Sequence, residues 1–318
     1  MSEMFAPVRA DATVEDVLRD ELAQGDAVIG TIAPILRHLL ANDDQALFND
    51  EIVARVRGMI DHIARQVLDA VEDAHGMGAS HDHGEAAVAQ LVATLVERSA
   101  LLGHVHAQAL EFQLTERLQA RIALDPVLSP LLQALVASPD SGTAASAVAL
   151  LAAQARFVQA QRRMQLPLGE LPADLFHAVL QALRTVEADP DILLSAEKAL
   201  RAGFDEGRSR LGLLSRLVLG MGGGETAALD IGHAGTGLFL TALSLGSGQD
   251  RDLTALAAHE GQPARLALAL RAAGVRPDAV EGQFLAIHPD VSLPEGFDTL
   301  GADRAAALLA RSFVGAGR

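Results

Sequence analysis

From Thr13 to Arg311 apolar residues return every three or four positions, and short breaks of Gly, Pro, Asp, Asn or Ser separate one such run from the next. That period belongs to an amphipathic α-helix; a half-buried strand would alternate every second residue. Almost nothing in the chain alternates that way. The expected fold class is all-α, so the open questions are how the helices group and what they carry.

Thr13 is a natural N-cap, with Glu15 and Asp16 in the turn that follows. A first helix is expected from there to a break at Gly25–Asp26, and a second from Ala27 to Ala41. Two longer runs follow, at about 44–75 and 85–123. The first carries Ile52, Val56, Met59, Ile60, Ile63, Val67 and Val71 on one face. In the second, Val88, Leu95, Leu102 and Ala109 stand seven apart, as in a coiled-coil seam. Unbroken, these helices would be roughly 45 and 60 Å long at 1.5 Å per residue. The expectation is a long antiparallel hairpin with its tip at His75–Gly84. Helices of that length outrun a small core, so a homodimer is expected.

Beyond Pro126 and Pro130 the runs shorten. Leu166–Pro172 is the best candidate boundary, which sets a helical bundle at 1–165 against a second domain at 172–318. Eight short helices between 173 and 287, with breaks at Asp189–Pro190, Gly203, Gly220–Gly224, Gly246–Gly248, Gly261 and Gly274, have the cadence of a helical-repeat array. No strict period accompanies that cadence.

Composition excludes several classes. There is no cysteine, which removes disulfides, zinc–thiolate sites, iron–sulfur clusters and thiol catalysis. The formal charge is −16, and an acidic surface repels nucleic acid and anionic lipid. With ten Phe, no Trp and no Tyr, the core must be aliphatic, and base-stacking platforms are disfavoured. Met1–Ala10 does not read as a signal peptide, and the apolar runs near 213–224 and 238–245 are too short to span a bilayer. A cytoplasmic protein of bacterial type, with no nucleic-acid partner and no membrane insertion, is the expectation.

Three stretches carry a resemblance. They are Ala152–Phe157 with Gln161–Met164 and Leu166–Leu168, then Gly235–Leu243, then Leu268–Val275. Together they resemble the uncharacterised bacterial family called domain of unknown function 2336. The resemblance covers the C-terminal half best and implies stacked, HEAT-like helices. It implies no catalytic residue, because that family has none established.

The sharpest local chemistry is at the hairpin tip. His75, His81 and His83 are candidate metal ligands, since His, Asp and Glu serve that purpose where Cys is absent. Glu72 and His75 have the Glu-x-x-His spacing of di-iron bundles, but no second such pair exists. The plainer alternative is a solvated polar loop. A second candidate set lies along the hairpin. Glu97, His104 and Glu111 are spaced by seven, and a turn near Ala79–Ser80 would put Glu97 opposite His62 and His104 opposite Arg55. Such a set could bind metal or move protons, or simply specify helix register. Gly220–Thr226 and Gly232–Gly237 are rich in glycine but follow no strand and lack a following Lys–Ser or Lys–Thr, so they read as helix breaks and close contacts. No Ser–His–Asp set and no Gly-x-Ser-x-Gly elbow is recognisable.

The leading expectation is a non-catalytic helical interaction protein, an adaptor or regulator, with no cofactor and with a protein partner. The alternative is a metal- or small-ligand-binding helical protein, an oxidoreductase among the options, that uses His62, Glu97 and His104 or the tip histidines.

Overall fold

The structure, a computed structural model, describes residues 13–41, 51–76, 84–259 and 261–312. Among them are fourteen α-helices, a few 3-10 turns and no strand, so the chain is all-α. It divides into two compact units, each gathered from separated stretches. The first unit comprises Met1–Ile32, Leu110–Leu151 and Leu214–Arg318, and the second Ala33–Ala109 and Ala152–Leu213. Leu166–Pro172, the candidate boundary, lies inside the second unit. Its Leu166, Leu168 and Leu171 are buried there.

The second unit is built on α2 (Glu51–His75), which packs on α3 (Glu85–Val96) and on α8 (Pro190–Gly203). All seven apolar residues of the α2 stripe are buried, as their spacing predicts. Fully burying a residue of this size stabilises by about 1.5–3 kcal/mol, which is why a polar-faced helix of 25 residues forms here. Pro190 in the first turn of α8 follows Asp189, whose carboxylate accepts from the Asp191 amide (2.9 Å). Those are the residues that start a helix without leaving an amide unsatisfied.

The long run at 85–123 is not one helix. It breaks after α3, and α4 (Ser99–Ile122) leaves at 95° to it. The seam survives in burial but not in geometry, because Val88, Leu95, Leu102 and Ala109 are all buried, on two helices instead of one. The corner closes where the Arg98 amide donates to the Leu95 carbonyl (3.0 Å) and the Leu102 amide donates to the Arg98 carbonyl (3.0 Å). Arg98 Nη1 also donates to Gln181 Oε1 (2.9 Å). The period of a sequence reports which side chains are buried; a corner whose backbone groups find partners keeps that pattern while turning the chain. The roughly 60 Å helix, one of the two on which the expectation of a homodimer rested, is therefore absent.

In the first unit, α10 (Ile231–Ser247) is central and packs on α5 (Pro130–Val136), α11 (Arg251–Ala257), α12 (Pro263–Ala272) and α13 (Pro277–Ile287). A kink sits in its first turns, where Gly235 has φ +76° and ψ 161°. That conformation is essentially closed to side-chain-bearing residues, and a Cβ at Gly235 would stand 2.9 Å from Cβ of Ser129, the N-cap of α5. Replacing Gly235 with alanine is expected to destabilise the protein by about 2–3 kcal/mol, strain and clash together. A urea titration showing a loss below about 0.5 kcal/mol would refute this account of the kink.

The break expected at Gly25–Asp26 does not occur. The helix α1 runs unbroken from Val14 to Ala41. Gly25 is where the Gln262 side chain lies against the backbone: Gln262 Nε2 donates to the Gly25 carbonyl (2.9 Å), and a Cβ there would collide with the Gln262 carboxamide. The neighbouring Asp26 is buried and ion-paired to Arg265 of α12, which is itself fully buried. Ser312 Oγ lies 2.9 and 2.8 Å from the two Asp26 oxygens, and Arg265 Nη1 donates to Gln249 Oε1 (2.8 Å). Gly and Asp, read locally as a helix stop, here serve a tertiary contact. A second buried pair joins α4 to α11, where Arg251 donates through both Nη atoms to the two oxygens of Glu111 (3.0 Å each) and through Nε to Thr241 Oγ1 (3.1 Å).

Candidate functional site

The corner between α3 and α4 also separates the residues of the second candidate set. Glu97 is at the corner, with its side chain 67% exposed, and stands 3.5 Å from Arg37 Nε. His104 is buried in the interior of α4. Glu111 belongs to the pair with Arg251. His62 faces elsewhere: its Nδ1 lies 2.9 Å from the Leu166 carbonyl oxygen and 2.9 Å from Gln66 Nε2. Beside it Gln66 accepts from the Leu168 amide at Oε1 (3.0 Å). This face of α2 thus clasps the 166–168 segment. At the hairpin tip, His75 is the exposed last residue of α2, while His81 and His83 lie outside the described residues. Among the described residues no group of three His, Asp or Glu stands close enough to hold a metal ion. The structure does not bring His62, Glu97 and His104 together, because the register argument needed a straight helix through Glu97.

A different feature occupies that side of the unit. The end of α1, the exposed face of α2 and the length of α3 enclose a groove of about 520 Å³. Its floor is aliphatic: Leu40, Ile60, Val88, Val92 and Val96. Ala89 and Ala93, one turn apart on α3 and exposed, give it depth. Charges of both signs rim it: Arg37, Arg57 and Arg65, and Asp61, Glu85 and Glu97. Two of these arginines also finish helix ends. Arg57 donates to the Leu39 carbonyl (3.2 Å) near the end of α1, where a cation meets the negative end of the helix dipole. Arg37 Nη2 donates to the carbonyl of Glu97, the C-cap of α3 (3.5 Å), and to Ser99 Oγ (3.1 Å).

Sequence reasoning missed this groove. One signal was available: Arg57, Asp61 and Arg65 at i, i+4 and i+8 on α2, together with Ala89 and Ala93 at i and i+4 on α3, form one charged and one smooth stripe. Nothing in the sequence showed that the two stripes share a cleft.

Two titratable groups outside the groove are strongly perturbed. His288, which ends α13, is buried with neither ring nitrogen hydrogen-bonded, and its pKa is pulled down to about 4. Burial is the main cause, followed by the positive charges of Arg117, His259 and Arg121. Glu197 on α8 is held down at about 2 by hydrogen bonds from Arg184 and Arg201. Arg184 approaches it through Nε and Nη2 at 2.9 Å each. Among the described residues neither group belongs to a cluster that could hold a metal ion; His288 is an uncompensated buried base, and Glu197 anchors α7 (Ala173–Leu183) to α8.

No single helix among the described residues is long and apolar enough to cross a membrane. The chain matches no protein family, no curated protein and no solved structure. The resemblance read from Ala152–Leu168, Gly235–Leu243 and Leu268–Val275 therefore stands on those residues alone.

Proposed function

We propose that the chain is a non-catalytic helical interaction protein, an adaptor or regulator, whose groove between α1, α2 and α3 receives the apolar face of a helix from a partner protein. The observation that supports this is the groove itself, with an aliphatic floor of about 520 Å³ between charged margins of both signs. Amphipathic helices dock into such grooves through residues at i, i+3 or i+4, and i+7, with affinity coming from the floor and register from the margins. On the rim, Arg65 meets acidic residues beside the partner's apolar stripe, and Glu85 meets basic ones. A net charge of −16 further favours encounter with a partner of net positive charge.

The test places a photo-crosslinking residue at Ala89 or Ala93 in the cell, with Ser195, exposed on α8, as control. The expected result is one discrete adduct at Ala89 and Ala93, absent at Ser195, whose cross-linked peptide is an amphipathic helix. The variant Ala93→Glu, at an exposed position, is expected to leave stability within about 0.5 kcal/mol and to weaken binding of that purified partner at least about tenfold. The competing occupant is a second copy of the chain, in which case the adduct is a cross-linked dimer and light scattering gives twice the chain mass. Equal cross-linking at all three positions refutes the assignment of this face.

A further inference from the structure

The second unit also holds a cavity of about 170 Å³, separate in its lining from the groove except that both belong to the same unit. It is walled by α4, by α6 (Ser141–Arg162), by the segment leading into the 168–170 turn and by the start of α9 (Arg210–Gly220). Its chemistry is unusual for an interior. Arg210 is only 1% exposed. Its guanidinium carbon stands 3.6 Å from the centre of the Phe157 ring, and its Nη1 and Nη2 donate to Gln154 Oε1 (3.2 Å) and Gln108 Oε1 (3.1 Å). These contacts fix the guanidinium as a flat, oriented plate. Glu170 is held by the Arg210 backbone amide, which donates to Oε2 (2.7 Å). Arg156 lines the same cavity.

The decisive group is Gln161. It is wholly buried and lines the cavity. Its Nε2 is directed at Met59 Sδ (3.1 Å), and its Oε1 accepts no hydrogen bond. Native interiors rarely keep a buried carbonyl oxygen without a donor, and such a group in a cavity wall marks a place where a donor from outside the chain is favoured.

We propose that this cavity binds a small monocarboxylate bearing a hydroxyl next to the carboxylate, an α-hydroxy acid. Two arginines, Arg210, which is buried, and Arg156, which is exposed, line the cavity with one carboxylate, Glu170, so the lining carries one excess positive charge and is complementary to a monoanion. The hydroxyl supplies the donor that Gln161 Oε1 lacks. Phe157, Leu166 and Leu211 cover the hydrocarbon part. Size agrees, because a cavity near 150 Å³ takes benzene, so this one takes about six to ten non-hydrogen atoms. An α-amino acid offers the same carboxylate and a donor but adds a positive charge that the lining does not call for. This inference does not depend on what the groove binds.

The experiment uses the full chain and four probes: L-lactate, propionate, lactamide and L-alanine. Propionate lacks the donor, lactamide lacks the charge, and L-alanine replaces the hydroxyl by an ammonium group. L-lactate at about 10 mM is expected to raise the melting temperature by about 2–4 °C, and propionate and lactamide to bind about tenfold or more weakly. Gln161→Leu is expected to abolish the preference for lactate over propionate. Ala160→Leu, which fills the cavity from a half-buried position and touches none of the polar groups, is expected to abolish binding of both. Saturable binding of L-alanine in preference to L-lactate overturns the assignment of a hydroxy acid, because the lining then favours a zwitterion over a monoanion. Absence of saturable binding of all four probes by ligand-observed NMR overturns the proposal, as does lactate binding that persists in Ala160→Leu.

Discussion

Replacing Arg265 by methionine is expected to lower the stability of the first unit by about 3–5 kcal/mol, the cost of leaving one member of a buried ion pair without its partner. Methionine keeps most of the side chain's length and apolar volume, so the loss reports charge and hydrogen bonding and not a cavity. Arg265 is fully buried, and burial pulls its pKa down while the Asp26 charge and hydrogen bond push it back up. The two residues join the first half of α1 to α12, and Ser312 closes the third side. Without the guanidinium, the Asp26 carboxylate loses its ion pair while it stays buried next to the Ser312 hydroxyl. A second substitution checks the mechanism. Asp26→Leu made in the Arg265→Met background is expected to recover most of the loss, since replacing a whole buried pair by apolar groups is close to neutral. Urea titration of the four proteins in the cycle gives the coupling directly. A single-variant loss below about 1 kcal/mol would mean that water reaches Asp26 and that this pair does not hold α1 to α12.

The second large effect is a dependence of stability on pH between about 6.5 and about 4, centred on His288. Its sign follows from the depressed pKa. Above pH 6.5 the ring is neutral in both the folded and the unfolded chain and contributes no pH dependence. As the pH falls, the unfolded chain takes up a proton that the folded chain refuses until about pH 4, so folding stability declines across that window. The decline reaches about 3 kcal/mol at most, at 1.36 kcal/mol for each pH unit. Comparison with His288→Leu isolates it, because other groups titrate equally in both proteins. The difference in unfolding free energy between variant and parent is expected to grow by about 2–3 kcal/mol from about pH 7 to about pH 4.5. A difference that stays constant would show that His288 finds a partner or opens to solvent. Glu197 acts in a lower window: its contribution is present above 4.5 and is lost as the pH falls through about 2. A Glu197→Gln variant therefore leaves the His288 window intact.

The groove and the cavity were legible to different degrees. Their polar and apolar residues are all visible in the sequence as ordinary helix stripes, for instance Arg57, Asp61 and Arg65 along α2. What makes Arg37 and Glu97 neighbours is the chain's return across separations of tens of residues, and no local pattern encodes it. Gln161 is the extreme case. In sequence it is one glutamine in a polar helix end; in the structure it is wholly buried with an oxygen that accepts nothing. The metal readings at His62, Glu97 and His104 depended on register carried through a straight helix, and one 95° corner at Glu97–Arg98 removed it.

By itself the sequence determined the class and the burial pattern. A three-to-four-residue period reports which faces leave water, because hydrophobic burial depends on area and not on direction. That is why every apolar residue of the α2 stripe, and all four seam residues at 88, 95, 102 and 109, are buried as their spacing predicts. Local signals at Asp189–Pro190, Gly203, Gly220 and Gly248 do coincide with helix ends, but tertiary structure decided the boundary wherever distant contacts opposed the local signal or the signal was absent. Gly25–Asp26, a stop by local propensity, lies within an unbroken helix because Gln262 and Arg265 engage it, while the unpunctuated run through Glu97 bends. Propensity differences of about 1 kcal/mol or less per residue are smaller than a buried ion pair or a packed leucine, so distant contacts outweigh local signals wherever the two disagree.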